Sequence, residues 1–487
     1  MVRLLIITNI ILLIVSVLVY IIVFRVNLRF LIQPPVCKNC NVILVSIDTL
    51  GANHLPCYGY KRNTAPNLCR FAKENVLFTN SFSNAPWTLP SHFSIFTSLY
   101  PKHHGMEHPK DSLDEKITTV TEIFKSKGYD TMYVGPLDDP NLPLEKGLGR
   151  GFDTIEDSKY RDIATWDKGY KKLIDNAKKG KSTFLFLHTY WVHAPYVVGD
   201  LGRKNINYTF TKASIPEIPL MVKNVNKFTQ GFYEYMLQNG DEEIVDALKQ
   251  TTDLSQAEKK FKSLMNERKG VKNIFFGDYY LETLAKSDST VLYGRDLYDE
   301  LIYYLDNSIA RLFSLLSKKE LANNTVLIIT SDHGEEFMEH GNVAHPGNDL
   351  FNTLTATPLI MYIPGIKERN IPQLVQSIDV APTMLNLVGI DKPTTFEGID
   401  LTGLIQKRDN AKTNTYLISN GIGIDSIRDS KLKLYVSYPG FKNSEKMKLF
   451  DLQKDPSEQH NVISENKQAA QKLLNALEMI IYKRKLQ

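Results

Sequence analysis

Three short apolar runs in this chain end in residues that can hold a cation or move a proton. Asn41 to Ile47 is followed by Asp48, Thr183 to Leu187 by His188, and Thr325 to Ser331 by Asp332-His333-Gly334. Asp48, Asp332 and His333 are the residue types for one divalent cation with oxygen-rich, moderately hard ligation. A lone Asp-His-Gly is weak, because glycine after a strand also simply permits a turn. Its weight comes from Asp48 and from Pro86-Trp87-Thr88-Leu89-Pro90-Ser91-His92. Pro90 cannot donate inside a helix but suits its first turn, which puts Thr88 and Leu89 at a helix start. A threonine hydroxyl there, coordinated to a dication, can ionise and attack a phosphorus or sulfur centre. The same hydroxyl would serve as an ordinary N-cap, and the local sequence leaves both readings open. His193, in His-Ala-Pro after a strand end, and His345 are further proton donors, with His92 and His188 beside them.

The elements that must position these groups follow from the pattern. Continuous β-forming runs read as strands buried on both faces. Helical patterns lie between them at Ala65 to Glu74, Ser91 to Ser98, Thr119 to Lys127 and Leu297 to Ser317. Alternation of strand and helix predicts a doubly wound α/β sheet, whose ligands bind beyond the carboxyl ends of the strands. Residues 197–290 are polar and rich in Lys and Asn, and read as an insertion that is helical in part. The expected organisation is a catalytic domain over 41–375 and a smaller α+β subdomain over 376–487. That subdomain has β-like runs at Thr415 to Ser419, Lys431 to Tyr438 and Lys448 to Leu452, then a helix from Glu465 to Arg484.

Composition narrows the class. The 487 residues are 43% hydrophobic and 23% charged, which excludes a disordered chain and a polytopic membrane protein. Net charge is +4 from 58 basic and 54 acidic residues, too even to imply a nucleic-acid partner. Four cysteines exclude a disulfide-dense scaffold, and Cys37-Lys38-Asn39-Cys40 reads as a short disulfide or two free thiols. Leu4 to Phe24 carries no charge and is bounded by Arg3 and Arg25. This length just spans a bilayer core, so 1–25 is expected to be an uncleaved transmembrane signal anchor, with 26–40 as linker.

Asn41 to Tyr60, Asn63 to Phe82, Thr88 to Gly105, His188 to Tyr196, Ser331 to His340 and Asp379 to Gly389 resemble, in order, the motifs of the sulfatase family. Leu449 to Asn461 resembles its C-terminal subdomain motif. The resemblance implies an alkaline-phosphatase-like mixed α/β sheet between helices. It makes Asp48, Thr88, Asp332 and His333 ligands of one Ca, Mg or Mn ion and Thr88 the nucleophile. In the family signature C-x-P-S-R the first residue becomes formylglycine. Thr88 fills that place and His92 the Arg place. Threonine cannot be oxidised to formylglycine, so that cofactor is not expected.

The family's D-T-L-R-A-D reads Asp48-Thr49-Leu50-Gly51-Ala52-Asn53, and the Lys of G-K-W-H-L-G has no counterpart in Val134-Gly135-Pro136-Leu137. His92, His193 and His345 are the expected catalytic partners of Thr88, and His188, His193 and His345 the substrate contacts. A Thr nucleophile resembles the superfamily's phosphodiesterases and its membrane-anchored phosphoglycerol and phosphoethanolamine transferases. The expected function is therefore hydrolysis of sulfate or phosphate esters, phosphoesters preferred. A transferase is one alternative, and an inactive binding or scaffold protein on the same fold another. Substrates would be small-molecule, glycan or lipid-headgroup esters. The resemblance also places the catalytic domain outside the cytoplasm, although the Lys and Arg count beside the span points the other way.

Overall fold

The computed structural model describes residues 15–16, 20, 36–137, 141–158, 162–196, 230–239, 242–266, 271–438 and 447–482. Its centre is an eight-stranded sheet. In chain order the strands are β1 (Asn41–Ile47), β2 (Val76–Phe78), β3 (Asp130–Gly135), β4 (Thr154–Asp157), β5 (Thr183–Thr189), β6 (Thr325–Thr330), β7 (Leu359–Tyr362) and β8 (Arg369–Ile371). Their spatial order is β8-β2-β7-β6-β1-β5-β3-β4. All neighbours are parallel except β7, which runs antiparallel to β6 and β2.

The three apolar runs are the middle strands, and alternate side chains feed two cores. Ile43, Val45, Leu185, Leu187, Leu327 and Ile329 face one side. Val42, Leu44, Phe184, Phe186, Val326 and Ile328 face the other. A strand needs this double apolar face when helices cover both sides of a sheet. The first core is closed by α1 (Pro66–Glu74), and by the later helices 166–178 and 288–316. The second is closed by α2 (Thr88–Thr97), α3 (Val120–Ser126) and helix 380–387. The later helices are α4 (Trp166–Lys178), α5 (Asp288–Leu316) and α6 (Val380–Leu387). Ser46 of β1 pairs with both His188 and Thr330. That register puts Asp48 and Asp332 the same two residues beyond one line across the sheet.

A four-stranded antiparallel sheet follows: β9 (Leu417–Gly421), β10 (Ile424–Arg428), β11 (Leu432–Ser437) and β12 (Met447–Asp451). Helix α7 (Lys467–Leu477) packs Leu473 and Leu477 with Ile427, Leu434 and Leu449 of this sheet. Strand β10 was not apparent in the sequence because three of its five residues are polar. They are buried nonetheless: Asp425 accepts from Asn420 Nδ2 and Tyr438 Oη. In the expected insertion, the described helices 230–239, 242–249 and 254–266 close on a cluster of their own that includes Phe232, Ile244, Leu248 and Phe261. The stretch 197–229 lies outside the described residues.

The amino-terminal reading needs correction. No helix among the described residues is long and apolar enough to cross a membrane, so the single-pass membrane placement is not upheld. Of the apolar run only Val15, Ser16 and Tyr20 are described, and the rest of the expected anchor lies outside the described residues. Spanning a bilayer requires a continuous apolar helix, and none is present among the described residues. The end of the expected linker is docked instead. Cys37 N donates to Leu387 O at 2.9 Å, and Cys37 and Cys40 form a disulfide. A second disulfide, Cys57–Cys69, had no signature in its spacing.

Helix α5 starts nine residues earlier than the apolar periodicity suggested, at a capping box where Ser287 Oγ accepts from Thr290 N. Its buried Asp306 reaches across to the start of α1, accepting from Asn67 N at 2.9 Å and Leu68 N at 2.7 Å. Asp306→Ala leaves those two helix-end amides without this acceptor. It is expected to lower unfolding stability by about 2 kcal/mol in urea titration.

Candidate active site

The chemistry-bearing residues meet where β1 and β6 end and α2 begins. Trp87, in an extended conformation, is the N-cap of α2, so Thr88 is the first helical residue and its hydroxyl is not spent on capping. That hydroxyl donates to Asp48 Oδ2 at 3.2 Å and lies 3.4 Å from His333 Nε2. Ser91, one turn on, donates from Oγ to Asp332 O at 2.5 Å and ties the helix start to the loop after β6.

Asp48, Asp332 and His333 are all fully buried, and one ligand atom from each lies within 4.8 Å of the others. His333 Nδ1 is 2.9 Å from Gly334 O, so this nitrogen carries the proton and Nε2 presents its lone pair to the carboxylates. Nε2 is 3.4 Å from Asp332 Oδ2, an oxygen with no hydrogen-bond partner. Two acceptors facing each other in a dry site, beside a second carboxylate, fit a divalent cation between them. Burial also holds His333 down to about 4, in the neutral form a ligand needs.

The four further histidines divide into two pairs. His92 and His188 lie beneath the cluster, wholly buried and 4.7 Å apart ring to ring. His92 has both nitrogens engaged: Nδ1 with Thr88 O at 2.9 Å, Nε2 with Ser46 Oγ at 3.0 Å. It braces Thr88 and Asp332, with Nδ1 3.6 Å from Asp332 Oδ2. His188 Nδ1 is 3.3 Å from Ser46 O, and burial pushes its pKa to about 3. His193 and His345 form the rim, with side chains 13% and 17% exposed and rings 4.9 Å apart. His193 Nε2 is 4.0 Å from Asp48 Oδ1.

Glu335 was missed in the sequence. Its Oε1 is 2.7 Å from His345 Nδ1, and the carboxylate is fully buried. Burial disfavours the His345 cation, but the charge and hydrogen bond of Glu335 prevail, and the pKa is raised. Its position immediately after Asp332-His333-Gly334 was the available signal. Ser46, Ser91 and Tyr298 were missed as well. Small hydroxyls and a helix-borne tyrosine carry no pattern that separates them from core filling.

A doubly wound sheet with a buried two-carboxylate, one-imidazole cluster facing a helix-start hydroxyl defines an alkaline-phosphatase-like, metal-dependent hydrolase site. The sulfatase family profile matches residues 40–390, and the profile described as N-sulphoglucosamine sulphohydrolase, C-terminal, matches 348–485. The chain belongs to the sulfatase family. It is 25% identical over 451 residues to the uncharacterized sulfatase YidJ of Escherichia coli, covering 88% of this chain and 84% of the relative. It is 24% identical over 415 residues to the iduronate 2-sulfatase of Homo sapiens, covering 72% and 70%. Among solved structures, BT4656 in complex with D-glucosamine-2-N,6-O-disulfate superposes with a TM-score of 0.62 at 20% identity, covering 91% of this chain and 97% of that one. The phosphonate monoester hydrolase of Agrobacterium radiobacter gives 0.62 at 17% identity, covering 92% and 96%.

The buried imidazoles set a pH dependence. For His92, His188 and His333 the folded state favours the neutral form. Their contribution is therefore present above the unfolded value of about 6.5 and is lost as pH falls toward the folded values. Buried His104 and partly buried His340 act in the same direction, while His345 and the raised carboxyls of Glu336, Asp349 and Asp379 act against it, so the net is five groups over four. The urea midpoint of the cation-free protein is expected to fall between pH 7 and pH 5. The slope is up to about 1.4 kcal/mol per pH unit for each histidine. A flat midpoint over that range would contradict this account.

Proposed function

We propose that this chain is a metal-dependent hydrolase of sulfate or phosphate esters with Thr88 as nucleophile and phosphoesters preferred. One observation carries the reading. At the family position that becomes formylglycine stands a threonine whose hydroxyl donates to Asp48 Oδ2 and sits 3.4 Å from His333 Nε2. An aldehyde route is closed to threonine, and direct attack on phosphorus or sulfur remains open. Asp48, Asp332 and His333, with Thr88, would hold the divalent cation, Ca, Mg or Mn. When bound, that ion lowers the pKa of a coordinated hydroxyl and offsets charge on the ester oxygens. We assign 41–375 to catalysis and 376–487 to the C-terminal subdomain.

Thr88 Oγ attacks the central atom as its proton passes to Asp48, the acceptor already in place. The bond to the alcohol breaks, and His193 gives that oxygen its proton. Water then cleaves the Thr88 ester: one water proton returns to His193, and the proton on Asp48 restores the hydroxyl. His345, held by Glu335, meets the charge of the anion at the rim. The N-terminus of α2 adds its amides and dipole on the same side. An alcohol in place of water would make the same site a transferase. The intact set of Asp48, Thr88, Asp332 and His333 favours an enzyme over an inactive scaffold. A human iduronate 2-sulfatase among the relatives and a sulfated glucosamine bound by BT4656 make glycan sulfates the sulfate esters to test. The phosphonate monoester hydrolase fold keeps phosphorus in view.

Thr88→Ala is expected to lose at least about 10³-fold in turnover. Wild-type protein given generic phosphodiester and sulfate ester probes should yield an adduct on the peptide containing Thr88, read by mass spectrometry. Asp332→Ala should lose stoichiometric divalent metal in elemental analysis. Sulfate turnover with no phospho adduct would end the phosphoester preference, and normal turnover by Thr88→Ala would end the nucleophile assignment. His193→Gln should slow esters of poor leaving groups by about 10²-fold while barely affecting activated aryl esters. Equal slowing of both would remove His193 as the acid.

A further inference from the structure

Thr49 follows the ligand-bearing Asp48, and its backbone is in an unusual state. It is a β-branched residue at φ +59°, in the left-handed region that such side chains seldom enter. In that state Thr49 N donates to Asp332 Oδ1 at 3.2 Å, so one strained residue joins the two carboxylates of the site. Strain of this kind persists only where surrounding contacts hold it.

The holding contact comes from α5. Tyr298, fully buried, donates its hydroxyl to Thr49 O at 2.5 Å and accepts from Gly51 N at 3.0 Å. Both hydrogen-bonding roles of the phenol are thus directed at this one turn. Neighbours on α5 grip the chain just beyond it: Asp299 is 2.8 Å from His54 Nδ1 and accepts from Tyr60 Oη at 2.7 Å. The turn is closed from the opposite side by the loop after β6. A Cβ at Gly334 would come within 3.4 Å of Gly51 Cα and 2.1 Å of Thr353 O.

We propose that Tyr298 is a positioning residue: its hydroxyl clamps Thr49 in the left-handed conformation that links Asp48 to Asp332 and fixes the spacing of the two carboxylates. The proposal rests on the reading of the site as a cation-dependent ester hydrolase, and it names a residue that touches neither cation nor substrate. Glycine enters the left-handed region without penalty, so Thr49→Gly should make the hydroxyl largely dispensable.

The test compares wild type, Tyr298→Phe, Thr49→Gly and the double variant. Hydrogen exchange read by mass spectrometry follows residues 48–54 in cation-free protein, and calorimetric titration with Ca²⁺ alone and Mn²⁺ alone follows affinity. Tyr298→Phe should speed exchange of 48–54 while leaving β1 and β6 protected. It should weaken cation binding about tenfold and lower kcat more than it raises KM. In the Thr49→Gly background the same change should cost about twofold or less. Unchanged exchange in Tyr298→Phe overturns the clamp, and so does an equal affinity loss in both backgrounds. If wild type binds neither cation while Tyr298→Phe still loosens 48–54, the clamp stands and the reading of the site as cation-dependent falls.

Discussion

The site is organised around an electrostatic conflict. Two carboxylates and an imidazole lone pair are enclosed together at the edge of a dry core, close enough that each raises the energy of the others. Inside a protein such a grouping costs several kcal/mol per unpaired charge. It is tolerable where rigid surroundings fix the geometry and a positive centre resolves the repulsion. Much of the surrounding architecture serves the first of these needs.

Rigidity comes from several independent directions. The shared register of β1 with β5 and β6 sets the depth of Asp48, His188 and Asp332. From below, His92 connects Ser46 on the sheet to the Thr88 carbonyl on α2, so strand and helix cannot shift separately. The C-terminal sheet contributes from the far side. Buried Lys433 donates to Leu350 O and Asn352 Oδ1 and pairs with Glu458, whose other oxygen accepts from Asn352 N. Those contacts fix the end of the loop that carries Glu335 and His345. The second sheet therefore stabilises the rim of the site as well as its own fold.

Much of this was legible in the sequence, for identifiable reasons. Strands β1, β5 and β6 announce themselves because central parallel strands must be apolar on both faces, and their polar terminators stand out against that background. Thr88 at a helix start was readable from Pro90. Glu335 and Ser91 were not, since their partners, His345 and the Asp332 carbonyl, are chosen by tertiary packing. The roles of His92 and His188 depend on depth beneath the surface, which spacing does not encode. The amino-terminal run shows the reverse error, where composition suggested a spanning helix and no helix among the described residues meets that requirement. Strand β10 was hidden because its Asp425 is satisfied by partners five and thirteen residues away.

The pairing of Glu335 with His345 has a consequence for recognition. Where the family signature carries arginine, this chain carries the enclosed His92, and the permanent positive charge of a guanidinium is missing from that spot. On the proposed reading the anion meets an imidazolium at the rim instead, and that charge is conditional. Capturing an ester would then include a proton in its stoichiometry, so the grip on substrate loosens in alkaline surroundings while the catalytic framework stays intact.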